Sequence, residues 1–270
     1  MDKLPKLGLG TFLMVEDAYE VVSHALKIGY RHIDTAQAYH NEAEIGRALK
    51  DSGLKREEYF ITTKLSARKL TYEDAIKELE SSLEKLGLDY VDLYLIHWPS
   101  QDYQINLNTW RGLEKVYQEG KAKRIGVSNF QKHHLNALLE DAKIKPMYNQ
   151  VELHPGLQQT ALKHYLDDLG IHTISFGPFM RGEVFQKEGR YYETLKRIAD
   201  KHHATVAQIV IAWGLARGIH MIPKTATKER LQENFDAQQI KLDKDDLEAI
   251  LKLNRGRRIY TDPDNYSFYE

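Results

Sequence analysis

The sequence predicts an α/β fold, a single (β/α)8 TIM barrel running through residues 1–270. Three observations predict it. Short β-type runs alternate with helical stripes along the chain, about eight such runs can be counted, and 270 residues is close to the roughly 250 that such barrels need. Strands separated by helical crossovers pair in parallel, and at this length a closed barrel is favoured over an open doubly wound sheet, the alternative architecture.

The elements follow in order. A short first strand is expected at residues 7–9. Residues 17–28 place Ala18, Val21, Val22, Ala25 and Leu26 on one helical face, and Gly29 ends the helix. A strand then runs to Asp34, a helix spans 41–50, and a strand spans 59–64. Thr71 is an N-cap with Asp74 three residues on; Ile76, Leu79, Leu83 and Leu86 form the buried stripe, stopped by Gly87. Residues 91–97, Val-Asp-Leu-Tyr-Leu-Ile-His, are the strongest strand. Helix 109–119, strand 124–128, helix 130–139, strand 147–151, helix 158–168 and strand 172–176 continue the alternation. Thr205 and Gln208 make a capping box for the helix carrying Ile209, Val210, Ala212, Trp213 and Ala216. A strand at 220–222 and a helix at 243–253 complete the pattern. No Pro- or Ser-rich linker interrupts it, so no domain boundary is expected.

Composition narrows the function. Lys plus Arg, 38, nearly balance Asp plus Glu, 39, so the chain carries no basic footprint for nucleic acid or an anionic membrane. The first residues lack an apolar stretch of signal-peptide length, and no run of about 20 apolar residues follows. A cytoplasmic protein is therefore expected. Without cysteine there is no disulfide, thiolate nucleophile or thiolate metal site. His133-His134 and His202-His203 are adjacent pairs, but neighbours on a helix point about 100° apart, so no metal is expected there.

Strand C-termini in a barrel converge on one mouth, where active sites sit. Read from the expected strand ends, that mouth gathers Asp34, Lys64, His97, Ser128, Gln150 and Phe176, with Tyr39 on the following loop. Lys64 and His97 end apolar strands where packing alone would favour Val or Leu. A nearby Lys⁺ favours the phenolate and should lower a tyrosine pKa from about 10. Asp34 can hold Lys64, and His97 can donate a hydrogen bond to a carbonyl oxygen. The set suits an acid poised beside a carbonyl awaiting a hydride. A hydrolase using an Asp/Glu pair would leave Lys64 and the cations after the last strand unexplained. Those cations, Lys224 and Arg230, stand with Thr225 near an expected helix start at Thr227 and suit a phosphate dianion. No Gly-x-Gly-x-x-Gly follows a strand, since Gly8-Leu9-Gly10 continues to Leu13, so a dinucleotide would bind by another device.

Over nearly its full length the chain resembles an aldo-keto reductase. The resemblance rests on Gly-Leu-Gly-Thr-Phe at 8–12, His-Ile-Asp-Thr-Ala-Gln-Ala-Tyr at 32–39, Ile-Thr-Thr-Lys at 61–64 and Leu-Ile-His-Trp-Pro at 95–99. Gly-Val-Ser-Asn-Phe at 126–130, Asn-Gln-Val-Glu at 149–152, Ile-Pro-Lys-Thr at 222–225 and Arg-Leu-Gln-Glu-Asn-Phe at 230–235 continue it. Among the branches it is most similar to the small microbial enzymes that include 2,5-diketogluconate reductases. The resemblance implies NADPH-dependent reduction of an aldehyde or ketone by a tetrad of Asp34, Tyr39, Lys64 and His97, with Tyr39 as general acid. It implies that Ser128, Asn129 and Gln150 hold the cofactor carboxamide and that Phe176 lies against the nicotinamide. It further implies that Lys224, Thr225 and Arg230 grip the 2′-phosphate, with Glu233 and Asn234 beside the adenine. Phe12 and Trp98, with Tyr39 and His97, match substrate-pocket positions. Phe176 stands where Tyr or Trp is common, and Met180 where a glycine is usual; a positive φ there would strain the methionine. The expected partner is a small carbonyl compound and the expected state a monomer. The alternative on the same fold is an NADPH-sensing regulatory binding subunit.

Overall fold

A computed structural model describes residues 4–266. Eight parallel strands follow one another around a single sheet in sequence order. They are β1 (Leu9–Gly10), β2 (His32–Asp34), β3 (Phe60–Leu65), β4 (Leu93–Ile96), β5 (Ile125–Ser128), β6 (Tyr148–Glu152), β7 (His172–Phe176) and β8 (His220–Met221). The sheet closes on itself. Leu7 pairs in parallel with Met221, the Gly8 N–H donates to the Met221 carbonyl at 2.9 Å, and the Met221 N–H donates to the Lys6 carbonyl at 2.8 Å. Closure removes both sheet edges, which explains how strands of only two residues persist at β1 and β8.

Ten α-helices pack outside among the described residues. They are α1 (Ala18–Ile28), α2 (Glu42–Asp51), α3 (Tyr72–Leu86), α4 (Tyr103–Gln118), α5 (Lys132–Asp141), α6 (Thr160–Asp168), α7 (Arg190–Lys201), α8 (Val206–Ala216), α9 (Lys228–Asp236) and α10 (Lys244–Leu251). The expected caps form: the Asp74 N–H donates to Thr71 Oγ1 at 3.0 Å, and Thr205 and Gln208 exchange both capping-box bonds.

One boundary and one element differ from expectation. Helix α4 starts at Tyr103 rather than near residue 109, because Asp102 caps it by accepting the Gln104 N–H at 2.8 Å. Helix α7 lies where no element is expected. The β7–β8 crossover holds two helices with no strand between them, and a strict strand–helix alternation leaves no slot for the first.

The core has two parts, as a barrel requires. Most apolar side chains lie between sheet and helices, while Leu4, Phe60, Leu93, Leu95, Tyr148, Ile174 and Ile222 form a second cluster inside the barrel. Side chains alternate along a strand with period two. The inward residues of β3 are thus Phe60, Thr62 and Lys64, and those of β4 are Leu93 and Leu95, with His97 next in the series. On β6 they are Tyr148, Gln150 and Glu152, and on β7 His172, Ile174 and Phe176. Each series starts in the filled floor or middle of the barrel and ends on a polar or aromatic group at the C-terminal mouth. That periodicity assembles the site.

Candidate active site

Lys64 lies at the centre of the mouth and is fully buried, an arrangement that requires partners to offset the lost hydration. Its Nζ meets Asp34 Oδ1 at 2.5 Å and the Thr35 carbonyl at 2.8 Å, and it stands 3.5 Å from the Tyr39 hydroxyl. The other Asp34 oxygen, Oδ2, accepts Gln150 Nε2 at 2.7 Å. Asp34 ends β2, and a left-handed residue, His40 at φ 55°, terminates the single 3-10 turn Gln37–Tyr39 that brings the phenol back over Lys64. His97 follows β4, its ring 5.7 Å from the Tyr39 ring and near-perpendicular to it. The Phe12 ring, 5.1 Å away, meets Tyr39 on another side.

Burial acts first on every titratable group here. It raises the Asp34 carboxyl, against the pull of Lys64 and Gln150. It would lower Lys64, but Asp34 and Tyr39 outweigh it and hold the ammonium above its ordinary value. It drives His97 well below the usual imidazole range, helped by the charge on Lys64. For Tyr39 the expected direction is overturned. Lys64 does favour the phenolate, yet burial outweighs it and the phenol stands above its ordinary pKa. In this geometry Tyr39 is a firmly protonated donor beside a neutral histidine.

A cleft of about 1500 Å³ opens above these groups. Among the residues expected at the site, Phe12, Asp34, Tyr39, His97, Trp98, Ser128, Asn129, Gln150, Phe176, Lys224, Thr225, Arg230, Glu233 and Asn234 line it, while Lys64 lies behind its wall. Ser128 Oγ donates to the Gln150 carbonyl at 2.9 Å, and Asn129 Nδ2 donates to the His97 carbonyl at 3.0 Å from a left-handed backbone at φ 66°. With the bond from Gln150 Nε2 to Asp34, they fix three polar side chains beside the cleft.

The far end of the cleft fits an anion. Lys224 and Arg230 are exposed and form no hydrogen bond or ion pair among the described residues, and Thr227 gives α9 no side-chain cap. Two uncommitted cations beside an uncapped helix N-terminus form an electropositive pocket. Glu233 is already engaged, its Oε1 accepting Thr205 Oγ1 at 2.6 Å. The donor set therefore suits an elongated ligand with an amide-like group at the tetrad end and a phosphate at the α9 end.

Other lining residues fall outside the expected set. Tyr260 packs edge-on against Phe176, with ring centres 5.3 Å apart, and Tyr266 stacks on Trp98 at 4.2 Å. Their only sequence signal is the aromatic content of a C-terminal segment, of which residues 267–270 lie outside the described part. Met180 does adopt a positive φ, 54°, as does Arg181 at 51°; each costs about 1–2 kcal/mol in a non-glycine residue. The Met180 side chain is fully buried.

The adjacent histidines behave differently from each other. His202 Nε2 pairs with Asp246 Oδ2 at 2.6 Å. His133 and His134 converge with Asp264 in a group compact enough for an ion. However, His134 Nδ1 accepts the Gln131 N–H at 3.1 Å, which leaves the imidazole proton on Nε2, so the atom facing Asp264 is a donor and not a metal ligand.

A family model described as the Aldo/keto reductase family matches residues 6–255. The chain is 45% identical over 269 residues to a glyoxal reductase of Bacillus subtilis, covering 98% of this chain and 95% of that protein. It is 43% identical over 270 residues to the methylglyoxal reductase DkgA of Escherichia coli K12, covering 97% and 94%. Its structure is similar to that of a Gox0644 mutant crystallised in complex with NADPH, with a TM-score of 0.91 and 38% identity over 98% of this chain and 95% of that one.

Proposed function

The chain belongs to the aldo/keto reductase family, and from that premise we propose how its cleft works. The protein is an NADPH-dependent oxidoreductase that reduces an aldehyde or ketone to an alcohol. Nothing in the relatives or in the site favours the cofactor-sensing alternative. The proposal concerns which residues act and on what. The observation that carries it is the buried Lys64 ammonium, ion-paired to Asp34 at 2.5 Å and 3.5 Å from the Tyr39 hydroxyl.

NADPH, when bound, supplies the hydride. Tyr39 gives its proton to the carbonyl oxygen, and the Lys64 ammonium stabilises the phenolate left behind. Asp34 keeps Lys64 charged and in place, and Gln150 holds the second Asp34 oxygen. Neutral His97 donates a hydrogen bond that aims the carbonyl oxygen at the phenol. Ser128, Asn129 and Gln150 are the polar side chains that would take the carboxamide, and Phe176 is the ring wall beside it. Lys224, Thr225 and Arg230 would take the 2′-phosphate, with Glu233 and Asn234 next to the adenine. Phe12 and Trp98 bound the substrate side.

We further read the substrate as a small aldehyde or dicarbonyl, the class named for the glyoxal and methylglyoxal reductases. The whole chain acts in this reading as one barrel domain, a cytoplasmic monomer. One closed eight-stranded sheet supports the single domain, and no helix among the described residues is long and apolar enough to cross a membrane. The test is NADPH oxidation with glyoxal and methylglyoxal, repeated with NADH and with Arg230→Ala. Turnover with a strong NADPH preference that Arg230→Ala reduces by about tenfold or more is expected. Equal use of NADH by the unaltered chain would contradict the phosphate assignment.

A further inference from the structure

Among the buried carboxylates that the reduction chemistry leaves unused, one ends a barrel strand at the mouth. Glu152 ends β6, two residues beyond Gln150, and is 1% exposed. Its Oε1 accepts His154 Nε2 at 2.9 Å, and His154 is in turn fixed as the Nε2–H tautomer because its Nδ1 accepts the Leu157 N–H at 3.1 Å. The same Glu152 oxygen accepts the Ile259 N–H at 2.6 Å, while Oε2 takes the Tyr260 N–H at 3.3 Å and approaches Arg258 Nη1 at 3.5 Å. A buried charge committed to two backbone N–H groups more than a hundred residues away is a clamp on the C-terminal segment.

What the clamp holds is specific. Glu152 and Phe176 are register partners on β6 and β7. The segment gripped by Glu152 therefore passes directly over Phe176, and the Tyr260 ring meets the Phe176 ring edge-on, at 78°. Gly177 makes room for it: a Cβ there would lie 2.5 Å from Tyr260 Cε2. The Arg181 guanidinium lies 4.7 Å over the Tyr260 ring. Tyr260 also lines the cleft.

We propose that Glu152 and Tyr260 are positioning residues for hydride transfer: Glu152 fixes the backbone at Ile259 and Tyr260, and the Tyr260 ring immobilises Phe176 as the wall against which the nicotinamide is held. This rests on the reading of Phe176 given above. Without the Tyr260 ring, Phe176 gains room to rotate away, and the cofactor binds through its other contacts with its reactive end loosely placed. Misplacement by about 1 Å costs roughly a hundredfold in rate, while the phosphate end retains most of the affinity.

The experiment compares the full-length chain with Tyr260→Ala, Tyr260→Phe and Glu152→Gln. Four quantities are read: kcat, NADPH affinity by fluorescence titration, the emission spectrum of bound NADPH, and the isotope effect with NADPH deuterated at the transferred position. Tyr260→Ala should lower kcat by about ten- to a hundredfold with a much smaller change in NADPH affinity, alter the bound emission spectrum and raise the isotope effect. Tyr260→Phe, which keeps the ring, should restore kcat, the spectrum and the isotope effect, and Glu152→Gln should shift them in the direction of Tyr260→Ala. An unchanged spectrum and isotope effect in Tyr260→Ala overturns the positioning role, as does a loss in Glu152→Gln confined to thermal stability. Failure of the unaltered chain to bind NADPH would instead remove the reading of Phe176 on which the proposal rests.

Discussion

At the scale of single residues, the site is governed by the energetic cost of burying charge. Lys64 keeps its proton because Asp34 is 2.5 Å away, and it polarises Tyr39 without ionising it. Two protonation states follow for the free protein: a phenol that stays protonated through neutral pH and an imidazole that stays neutral. Both have the same consequence for the pH profile. The Tyr39 pKa is raised, so the acid form that the proposed reduction needs is lost only in alkaline solution, above the ordinary tyrosine value of about 10. The His97 pKa is depressed, so the neutral donor is lost only well below the ordinary value of about 6.5. Carbonyl reduction measured as kcat/KM should show no inflection from either group between about pH 7 and pH 9. A bell centred near neutrality that disappears in His97→Gln would contradict the assignment of a neutral histidine.

At the scale of elements, the sequence was legible wherever local chemistry alone sets structure. The caps at Thr71 and Thr205 form where their side chains predict them. The polar ends of otherwise apolar strands locate Lys64 and His97, since an inward-facing position that departs from Val or Leu marks the mouth. Helix α7 was illegible to the alternation rule, although Tyr191, Leu195, Ile198 and Ala199 make a buried helical stripe, because no strand follows to announce it. Tyr260 and Tyr266 were illegible for another reason. Their positions depend on Glu152 and Trp98, contacts more than a hundred residues away that no local pattern encodes. The net direction of the Tyr39 pKa also required the fold, because the depth of burial and the distance to Lys64 compete and neither can be read from a motif.

For the whole molecule, the barrel's two ends carry opposite tasks. The mouth gathers the groups proposed to react, and the floor gathers histidines that burial keeps neutral. His220 donates to the Pro5 carbonyl at 3.0 Å, and burial drives its pKa down to about 4. His32, wedged against the Gly8 backbone and 3.0 Å from Thr62 Oγ1, is held well below its usual range by burial and then by His220. Each of these groups takes up a proton more readily in the unfolded chain. Their contribution to stability is therefore complete above the unfolded pKa of about 6.5 and declines as pH falls towards the folded values. For His220 the displacement from 6.5 to about 4 corresponds to about 3 kcal/mol at its full extent. The urea midpoint should be level above about pH 7 and fall steeply between about pH 6.5 and pH 4, with a shallower fall in His220→Asn. An unchanged slope in that variant would assign the acid sensitivity to other groups.

These scales meet in Tyr39, whose proton is kept by burial, aimed by a 3-10 turn and served by a barrel mouth that brings the strand ends together. The most direct measurement is a single turnover of pre-bound NADPH with methylglyoxal, comparing the unaltered chain with Tyr39→Phe and determining NADPH affinity for both. Removal of the one hydroxyl should slow the step by about a hundred- to ten-thousandfold while cofactor affinity stays within a few-fold. A Tyr39→Phe variant that reduces methylglyoxal at the unaltered rate would show that the proton comes from elsewhere and would contradict the account of the site.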